Sequence, residues 1–335
     1  MVPPSGMPGE GARAMRLVSA DELRRVADLA TCIAALEEGH KGPRPELAES
    51  LIGPGAARYL IRSAHNGMSL IGSKLITILP DNPQARGLPS VQAVILLFDA
   101  RSGVARVAME ATELTYWKTA ADSALAARLL SRPEARILVV AGAGGLAPWL
   151  VRAHCMVRPG IERVLLWNRT AARAEHLARD LSREGFPARC VEDLRAAVCE
   201  ADIVSTATMA QQPILDGDWL KPGAHVDLVG GYSPDTREAD DAALRRARIF
   251  VDCLDSALHG VGDIVVPLRE GVITRDDIQG DLYDLVGGGV EGRGRADEIT
   301  LFKNAGGAHL DLMIADALLR RIEAAAPGHE AEAGR

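Results

Sequence analysis

The stretch Arg136-Ile137-Leu138-Val139-Val140-Ala141-Gly142-Ala143-Gly144-Gly145-Leu146-Ala147 decides the fold, and about twenty residues on stands Trp167-Asn168-Arg169-Thr170. A short apolar, β-branched run leads into Gly142-x-Gly144-x-x-Ala147, and a helical pattern opens directly behind it. This is the strand, tight turn and helix start that hold a dinucleotide pyrophosphate, and it assigns Gly142, Ala143, Gly144 and Ala147 to a cofactor. The glycines let the backbone turn sharply and approach the phosphates, where any side chain obstructs. The helix N-terminus then offers unpaired N–H groups and a partial positive charge to the anion. Val164-Leu165-Leu166-Trp167 reads as the next parallel strand. A site for NAD ends that strand with an Asp or Glu on the ribose 2′-hydroxyl. Here Asn168 and Arg169 stand in that place, with Thr170 and Arg173 close behind. Neutral and cationic donors suit a 2′-phosphate, so the expected cofactor is NADPH in preference to NADH. The plainer alternatives are an ordinary strand-to-helix turn and a solvated surface arginine.

Outward from this core, the chain has 335 residues, 47% hydrophobic and 25% charged, which suits an ordinary globular protein with room for two domains. A net charge of −7, no basic cluster and 4% aromatics argue against nucleic acid. No apolar run reaches the roughly 18 residues that a spanning helix needs, so no membrane segment is expected. The five cysteines (Cys32, Cys155, Cys190, Cys199 and Cys253) are scattered without a C-x-x-C, as reduced thiols in a cytoplasmic protein are. The eight histidines show no metal-ligand spacing, and no metal is expected.

The coarse pattern predicts an α/β fold: a Rossmann doubly wound parallel sheet plus a discontinuous, strand-rich α+β domain. Ser19-x-x-Glu22 is a capping box before a helix over Leu23, Val26, Ala27, Ala30 and Ile33, which Gly39 should stop. Leu75–Leu79 and Val91–Phe98 read as strands, Asp99-Ala100-Arg101-Ser102-Gly103 as a hairpin turn, and Val104–Ala108 as the returning strand. Leu114–Leu130 is a helix. Beyond Trp167, strands at Asp202–Thr206, His225–Val229 and Arg248–Val251 alternate with helical patterns, and the run Glu298–Phe302 leads to a last helix. That helix, Ala308–Ile322, is expected to return to the first module. Residues 1–14 read as a disordered leader and 326–335 as a frayed tail. Between them, 15–118 with 305–325 form the substrate and dimerisation domain, and 119–304 the NADP-binding domain.

Several patterns now stand together: Lys74, Pro80-Asp81-Asn82, Gly87-Leu88-Pro89, Leu114-Thr115-x-x-Lys118-Thr119-Ala120-Ala121, Gly142-Ala143-Gly144 and Leu301-Phe302-Lys303-Asn304. In order and spacing this set resembles the ornithine cyclodeaminase/μ-crystallin family, from about Lys74 to about Ala317. The spellings Trp117-Lys118-Thr119-Ala120-Ala121-Asp122-Ser123-Ala124 and Phe302-Lys303-Asn304-Ala305-Gly306-Gly307-Ala308-His309-Leu310-Asp311 are similar to a narrower group, the reductases of Δ1-pyrroline-2-carboxylate and related cyclic imino acids. The resemblance implies an NAD(P)H-dependent imine reductase and a homodimer. It implies that Lys74 and Lys118 hold the substrate carboxylate, with Asn304 as the third substrate-side residue. Thr119 and Thr206-Ala207-Thr208 would line the cofactor, with Val229-Gly230 at the next strand end.

Two departures from the family pattern matter. Lys118 replaces the arginine that grips the substrate carboxylate in the cyclodeaminases, giving a point donor in place of a bidentate fork. Tyr232 follows Gly230-Gly231 where the cyclodeaminases carry an aspartate, which weighs against deamination; its own role stays open. Either Arg44 or Arg58 could meet the substrate. Each residue also has a plainer reading: Lys74 as an edge-strand charge, Lys118 as an exposed helix lysine, Asn304 as a helix cap, His309 as a packed helix residue. Two other functions remain open, a cyclodeaminase or alanine-dehydrogenase-like enzyme using NAD, and a non-catalytic binding protein for NADPH and a small ligand.

Overall fold

The computed structural model of the protein describes residues 15–65, 70–231 and 233–325. The expectations for 1–14, 326–335 and Tyr232 therefore lie outside the described residues. In chain order the elements begin with β1 (Arg16–Val18), α1 (Ala20–Val26), α2 (Leu29–His40), β2 (Glu46–Ile52), β3 (Arg58–His65) and β4 (Leu70–Ile78). There follow α3 (Asn82–Arg86), β5 (Val91–Asp99), β6 (Ala105–Glu110), α4 (Leu114–Leu130), β7 (Ile137–Ala141), α5 (Ala147–Val157) and β8 (Arg163–Trp167). Next come α6 (Ala171–Arg183), β9 (Ala188–Cys190), α7 (Leu194–Glu200), β10 (Ile203–Thr206), β11 (His225–Leu228), α8 (Asp241–Arg246) and β12 (Ala247–Val251). The chain ends with α9 (Leu254–Gly260), α10 (Gly262–Arg269), β13 (Ile278–Asp281), α11 (Leu282–Val286), β14 (Ile299–Lys303) and α12 (Ala308–Ala324).

Two compact units result. The first holds the described residues up to Ala27, Pro43–Thr115 and those from Ala308 onward; the second holds Asp28–Gly42 and Tyr116–Gly307. The units divide after Thr115 and before Ala308, where the sequence suggested 118/119 and 304/305. Residues 28–42, expected with the first module, fall in the second unit. The cause is local: Asp28 accepts the Thr31 amide at 2.6 Å and caps a new helix, so the single predicted helix becomes α1 and α2. Then α2 is held within the second unit by a Glu37–Arg128 ion pair at 2.8 Å and by His40 against the Tyr283 ring.

In the first unit six strands lie in the order β1-β6-β5-β4-β3-β2, with β1 parallel to β6 and the other pairs antiparallel. The turn between β5 and β6 forms as read: Asp99 Oδ1 accepts Arg101 N, Ser102 N and Ser102 Oγ, and Gly103 takes φ +72°. Period-two alternation gives the sheet two unlike faces. Lys74 and Ile76, with Ile95, Leu97 and Ala64 across the register, are buried on the side that α12 covers. Ile71, Leu75, Val94, Leu96 and Phe98 point the other way and stay half-buried. The capping box at Ser19 and Glu22 closes α1 reciprocally. Strands β2 and β3 are additions to the sequence reading.

The second unit is built on eight parallel strands in the order β13-β12-β14-β11-β10-β7-β8-β9. Alternate residues of β7 feed opposite cores. Leu138 and Val140 pack with Ala147, Val151, Ala174 and Leu181 of α5 and α6; Val139 and Ala141 pack with the α7, α8 and α10 side. A parallel sheet with helices on both faces is the doubly wound architecture the pattern predicted. The chain leaves β7 towards β8 and β9 and returns to the far side of β7 at β10, so the switch point lies between β7 and β10. Ligands of such sheets bind outside the carboxyl ends of strands at that point.

Candidate active site

The turn after β7 is made for close approach. Gly142 takes φ +126°, and a Cβ there would stand 2.4 Å from the Ala207 carbonyl oxygen at the end of β10. Only glycine lets the two strand ends come together in this way. Over them opens a cleft of about 300 Å³ lined by Gly142, Ala143, Gly144, Trp167, Asn168, Arg169, Thr170, Arg173, Ala207, Thr208, Met209, Ala210 and Ile214. Nine of these residues belong to the predicted cofactor set. Trp167, Met209, Ala210 and Ile214 were not predicted; they are the apolar lining that a flat base needs, and sequence spacing carries no signal for them.

The far end of the cleft is cationic. The guanidiniums of Arg169 and Arg173 have no hydrogen-bond or ion-pair partner among the described residues. Between them α6 begins at Thr170, whose side chain does not cap the helix, so its first N–H groups stay available to an anion. Asn168 is spent within the turn, its Nδ2 donating to the Thr170 carbonyl at 2.9 Å. No carboxylate lines this end. The glycine turn, the uncapped helix starts and the free guanidiniums fit the phosphates of a dinucleotide.

Beyond the cleft the ends of β10 and β11 are tied by one buried carboxylate. Glu238 accepts Thr206 Oγ1 at 2.7 Å and Gly230 N at 2.6 Å on Oε2, and Thr208 N and Oγ1 at 2.7 Å each on Oε1. Gly230 is required here because a Cβ would stand 2.2 Å from the Thr208 carbonyl oxygen. Burial and Asp263 push the Glu238 carboxyl up, while Lys303 and the two threonines pull it back. Two of the four donors are backbone N–H groups, one on each oxygen, which can only donate and so favour an ionised carboxylate, although the carboxyl stays raised overall. Asp263 in turn accepts the Glu238 amide and pairs with Lys303 at 3.0 Å. Thr206, predicted to line the cofactor, therefore turns its hydroxyl onto Glu238, whereas Ala207 and Thr208 do reach the cleft. Val229 and Ala147 are buried beside their strand and helix ends, and neither lines the cleft.

At the start of α4 stand Lys118 and Thr119. Lys118 is 3% exposed, not the exposed helix lysine of the plainer reading, and among the described residues it forms no ion pair. Asn304, following β14, donates its Nδ2 to the Thr119 carbonyl and to Ser123 Oγ, each at 3.0 Å, so it ties β14 to α4 and does not cap the next helix. Ser123 passes the network on to Asp227 Oδ1, whose Oδ2 meets Ser205 Oγ at 2.7 Å and His154 Nε2 at 3.1 Å. Burial pushes Asp227 up, but His154 and Ser205 outweigh it and hold the carboxyl below its usual range. Two further carboxyls, unpredicted, sit here. Asp122 is one turn after Lys118, and Asp252 follows β12, accepting Cys253 N at 2.7 Å and Gly306 N at 2.6 Å. Charged residues directly after apolar strands were the visible signal for Asp252; Asp122 gave none.

In the first unit Lys74 is 3% exposed, against the edge-strand reading: β4 is interior to its sheet. Its Nζ donates to Thr115 Oγ1 at 2.7 Å and pairs with Asp311 of α12 at 2.9 Å. His309 is buried on α12, as a packed residue should be. Of the two arginine candidates, Arg44 is exposed and Arg58 binds the Gly53 carbonyl. Among the described residues no group of three or more His, Cys, Asp or Glu could hold a metal ion, and no helix is long and apolar enough to cross a membrane.

With this geometry in place, likeness to known proteins is informative. The model of the ornithine cyclodeaminase/mu-crystallin family matches residues 51–325. A Delta(1)-pyrroline-2-carboxylate reductase of Paracoccus denitrificans is 46% identical over 288 residues, covering 86% of this chain and 91% of the relative. The Thermococcus litoralis Delta(1)-pyrroline-2-carboxylate reductase, solved with NADH and L-proline, superposes with a TM-score of 0.86 at 30% identity, covering 92% of this chain and 98% of that one. An archaeal alanine dehydrogenase dimer with bound NAD gives a TM-score of 0.86 at 25% identity, covering 92% and 96%.

Proposed function

The chain belongs to the ornithine cyclodeaminase/mu-crystallin family, and on that premise we propose that it is an oxidoreductase that reduces a small cyclic 2-imino acid with NADPH. The substrate is Δ1-pyrroline-2-carboxylate, giving L-proline, with the six-membered Δ1-piperideine-2-carboxylate, giving L-pipecolate, as second candidate. The observation that carries this reading is a buried, uncommitted Lys118 at a helix start, at the carboxyl end of a sheet whose cleft fits a dinucleotide, in a chain 46% identical to a named reductase of that imine.

The bound nicotinamide supplies the hydride. What the protein contributes is position. Lys118 meets the substrate carboxylate as a point charge, and its burial strengthens that attraction. Asn304 fixes the start of α4 and so the lysine stem. Glu238 holds the ends of β10 and β11, where Thr208 and Gly230 face the nicotinamide ribose. In the first unit, Asp311 and Thr115 hold the Lys74 ammonium in one place. Preference for NADPH follows from Arg169, Arg173 and the uncapped start of α6, although the Thermococcus litoralis relative was solved with NADH. The half-buried apolar face of the first sheet, which includes Ile71, Leu75, Leu96 and Phe98, supports a homodimer, and five free cysteines suit the cytoplasm.

The test is loss of reduced-nicotinamide absorbance with Δ1-pyrroline-2-carboxylate, with NADPH and NADH compared and the piperideine homologue run in parallel. Rapid oxidation favouring NADPH, with proline formed, is the expected result. Silence with both imines, together with ammonia release from ornithine and NAD, would replace this reading with a cyclodeaminase. Tight NADPH binding with silence throughout would replace it with a carrier.

A further inference from the structure

The phenol of Tyr116 is a polar group that the site described so far does not use. Tyr116 is the third residue of α4 and is half-buried, and its hydroxyl has no hydrogen-bond partner among the described residues. The edge of its ring lies on the glycine turn. A Cβ on Gly145 would stand 2.9 Å from the hydroxyl oxygen and 3.3 Å from Cε1, so the bare glycine seats the phenol and a side chain would displace it. Gly145 directly follows Gly142, Ala143 and Gly144, which line the cofactor cleft.

What such a hydroxyl meets is set by the turn itself. Ala147 N donates to the Gly144 carbonyl at 3.1 Å, whereas the amides of Gly144, Gly145 and Leu146 have no partner among the described residues, and no side chain caps α5. A row of free N–H groups at a helix start is a phosphate cradle. The phenol is also held in place beside it. Its neighbour Trp117 packs edge-to-face on Trp149 of α5, with 6.1 Å between ring centroids, and Arg152 lies over Trp149 at 4.9 Å. The first turns of α4 and α5 are thus joined twice, at Tyr116 with Gly145 and at Trp117 with Trp149. Lys118 does not compete for the same ligand: residues two apart on a helix do not face each other, so phenol and ammonium leave α4 on different sides.

Resting on the dinucleotide reading of the cleft, we propose that the Tyr116 hydroxyl donates a hydrogen bond to the pyrophosphate of the bound cofactor, as a side-chain donor beside the backbone amides of the turn. A hydroxyl on an anionic oxygen makes a charge-assisted bond, stronger than a neutral one. The pyrophosphate is common to NADPH and NADH, so Tyr116 adds affinity without choosing between them, and the choice is left to the cationic end at Arg169 and Arg173. The bond also gives α4 a second task. The helix whose start carries Lys118 is held against the cofactor by Tyr116, so substrate anchor and hydride donor are set from one element.

The test is calorimetric titration of the full-length protein and its Tyr116→Phe variant with NADPH, NADH and ADP-ribose. The last keeps the pyrophosphate and lacks both nicotinamide and 2′-phosphate. Phenylalanine keeps the ring on Gly145, so the variant should melt with its parent. Kd should rise about tenfold for all three ligands, while KM for Δ1-pyrroline-2-carboxylate at saturating NADPH stays within about twofold. Unchanged affinity for all three overturns the proposal. A loss confined to NADPH overturns it by putting the hydroxyl on the 2′-phosphate, and a loss that spares ADP-ribose by putting it on the nicotinamide half. A raised KM with unchanged Kd overturns it by putting the hydroxyl on the imine. A parent that binds none of the three ligands overturns the dinucleotide reading and the proposal together. A parent that binds them but is inert towards the imine, with the equal loss in the variant, overturns the reductase reading alone and upholds the proposal.

Discussion

Replacing Glu238 with glutamine probes how the ends of β10 and β11 are aligned. The side chain is fully buried, and its four partners all arrive as donors: Thr206 Oγ1 and Gly230 N on one oxygen, Thr208 N and Oγ1 on the other. Glutamine offers one oxygen and one NH2. Whichever way the amide turns, the NH2 faces either the Gly230 N–H or the Thr208 N–H. A hydroxyl can rotate to accept from it; a backbone N–H cannot. One buried N–H left unpaired costs about 1–3 kcal/mol, and the surviving bonds lose their charge assistance. Relief of repulsion with Asp263 and of carboxylate burial offsets part of this. The net loss should be about 2–4 kcal/mol. Urea denaturation of Glu238→Gln and its parent at neutral pH measures it, and fluorescence titration should show weaker NADPH binding as the two strand ends drift. Stability within about 0.5 kcal/mol of the parent, with unchanged affinity, would mean that Glu238 is protonated and does not align the strand ends.

Other outcomes follow from the same geometry. Arg169→Ala should weaken NADPH binding about tenfold and leave NADH untouched, since an exposed guanidinium reads only the extra phosphate; equal losses for both cofactors would remove Arg169 from the phosphate site. Gly142→Ala puts a Cβ 2.4 Å from the Ala207 carbonyl oxygen at φ +126°, so a lower melting temperature and no NADPH titration are expected. Lys74→Met strands Asp311 without its ammonium, at a cost of about 3–5 kcal/mol, and adding Asp311→Leu should recover much of it. Asp252 is raised from 3.8 to about 6, so the native state binds its proton more tightly than the unfolded chain does. Its contribution to stability therefore falls as pH rises from about 4 to about 6, by at most about 3 kcal/mol, and is flat above. The stability difference between the parent and Asp252→Asn, followed across that range, should shrink with rising pH; parallel curves would contradict the assignment.

How much of this could be read beforehand differs between the two units. From Ile137 to Arg183 the elements fall where periodicity placed them, because β7 and β8 are buried on both faces and spelled by continuous apolar runs. Strands β2 and β3 escaped: Glu46–Ile52 and Arg58–His65 mix charges with apolar residues, β2 being mostly exposed and β3 mostly half-buried, which blurs a period of two. The stretch from Leu254 to Val286 escaped for another reason. Its helices α9, α10 and α11 are short, one contains Pro267, and β13 reads Ile278-Gln279-Gly280-Asp281, too polar to announce a strand. The cofactor cradle was legible because its chemistry is local, a glycine turn and a strand end. The tie at Glu238 was not, because it is long-range: Thr206 and Thr208 lie about thirty residues before it and reach it from the end of another strand.

The last helix, α12, lies across β3, β4 and β5, and brings Asp311 to Lys74. Among the described elements it is also the last that the ribosome makes. Until it emerges, the apolar underside of the first sheet has no cover and a buried lysine has no counter-charge. The segment from Tyr116 to Gly307, by contrast, is complete before α12 exists, and α2, its only distant part, is made earlier still. Birth order and folding order therefore run opposite ways: the second unit can close during synthesis, while the first unit must wait for α12. Chain released early keeps an unfinished sheet exposed, and premature termination near Ala308 should yield a protein that holds its cofactor but aggregates through β3–β5.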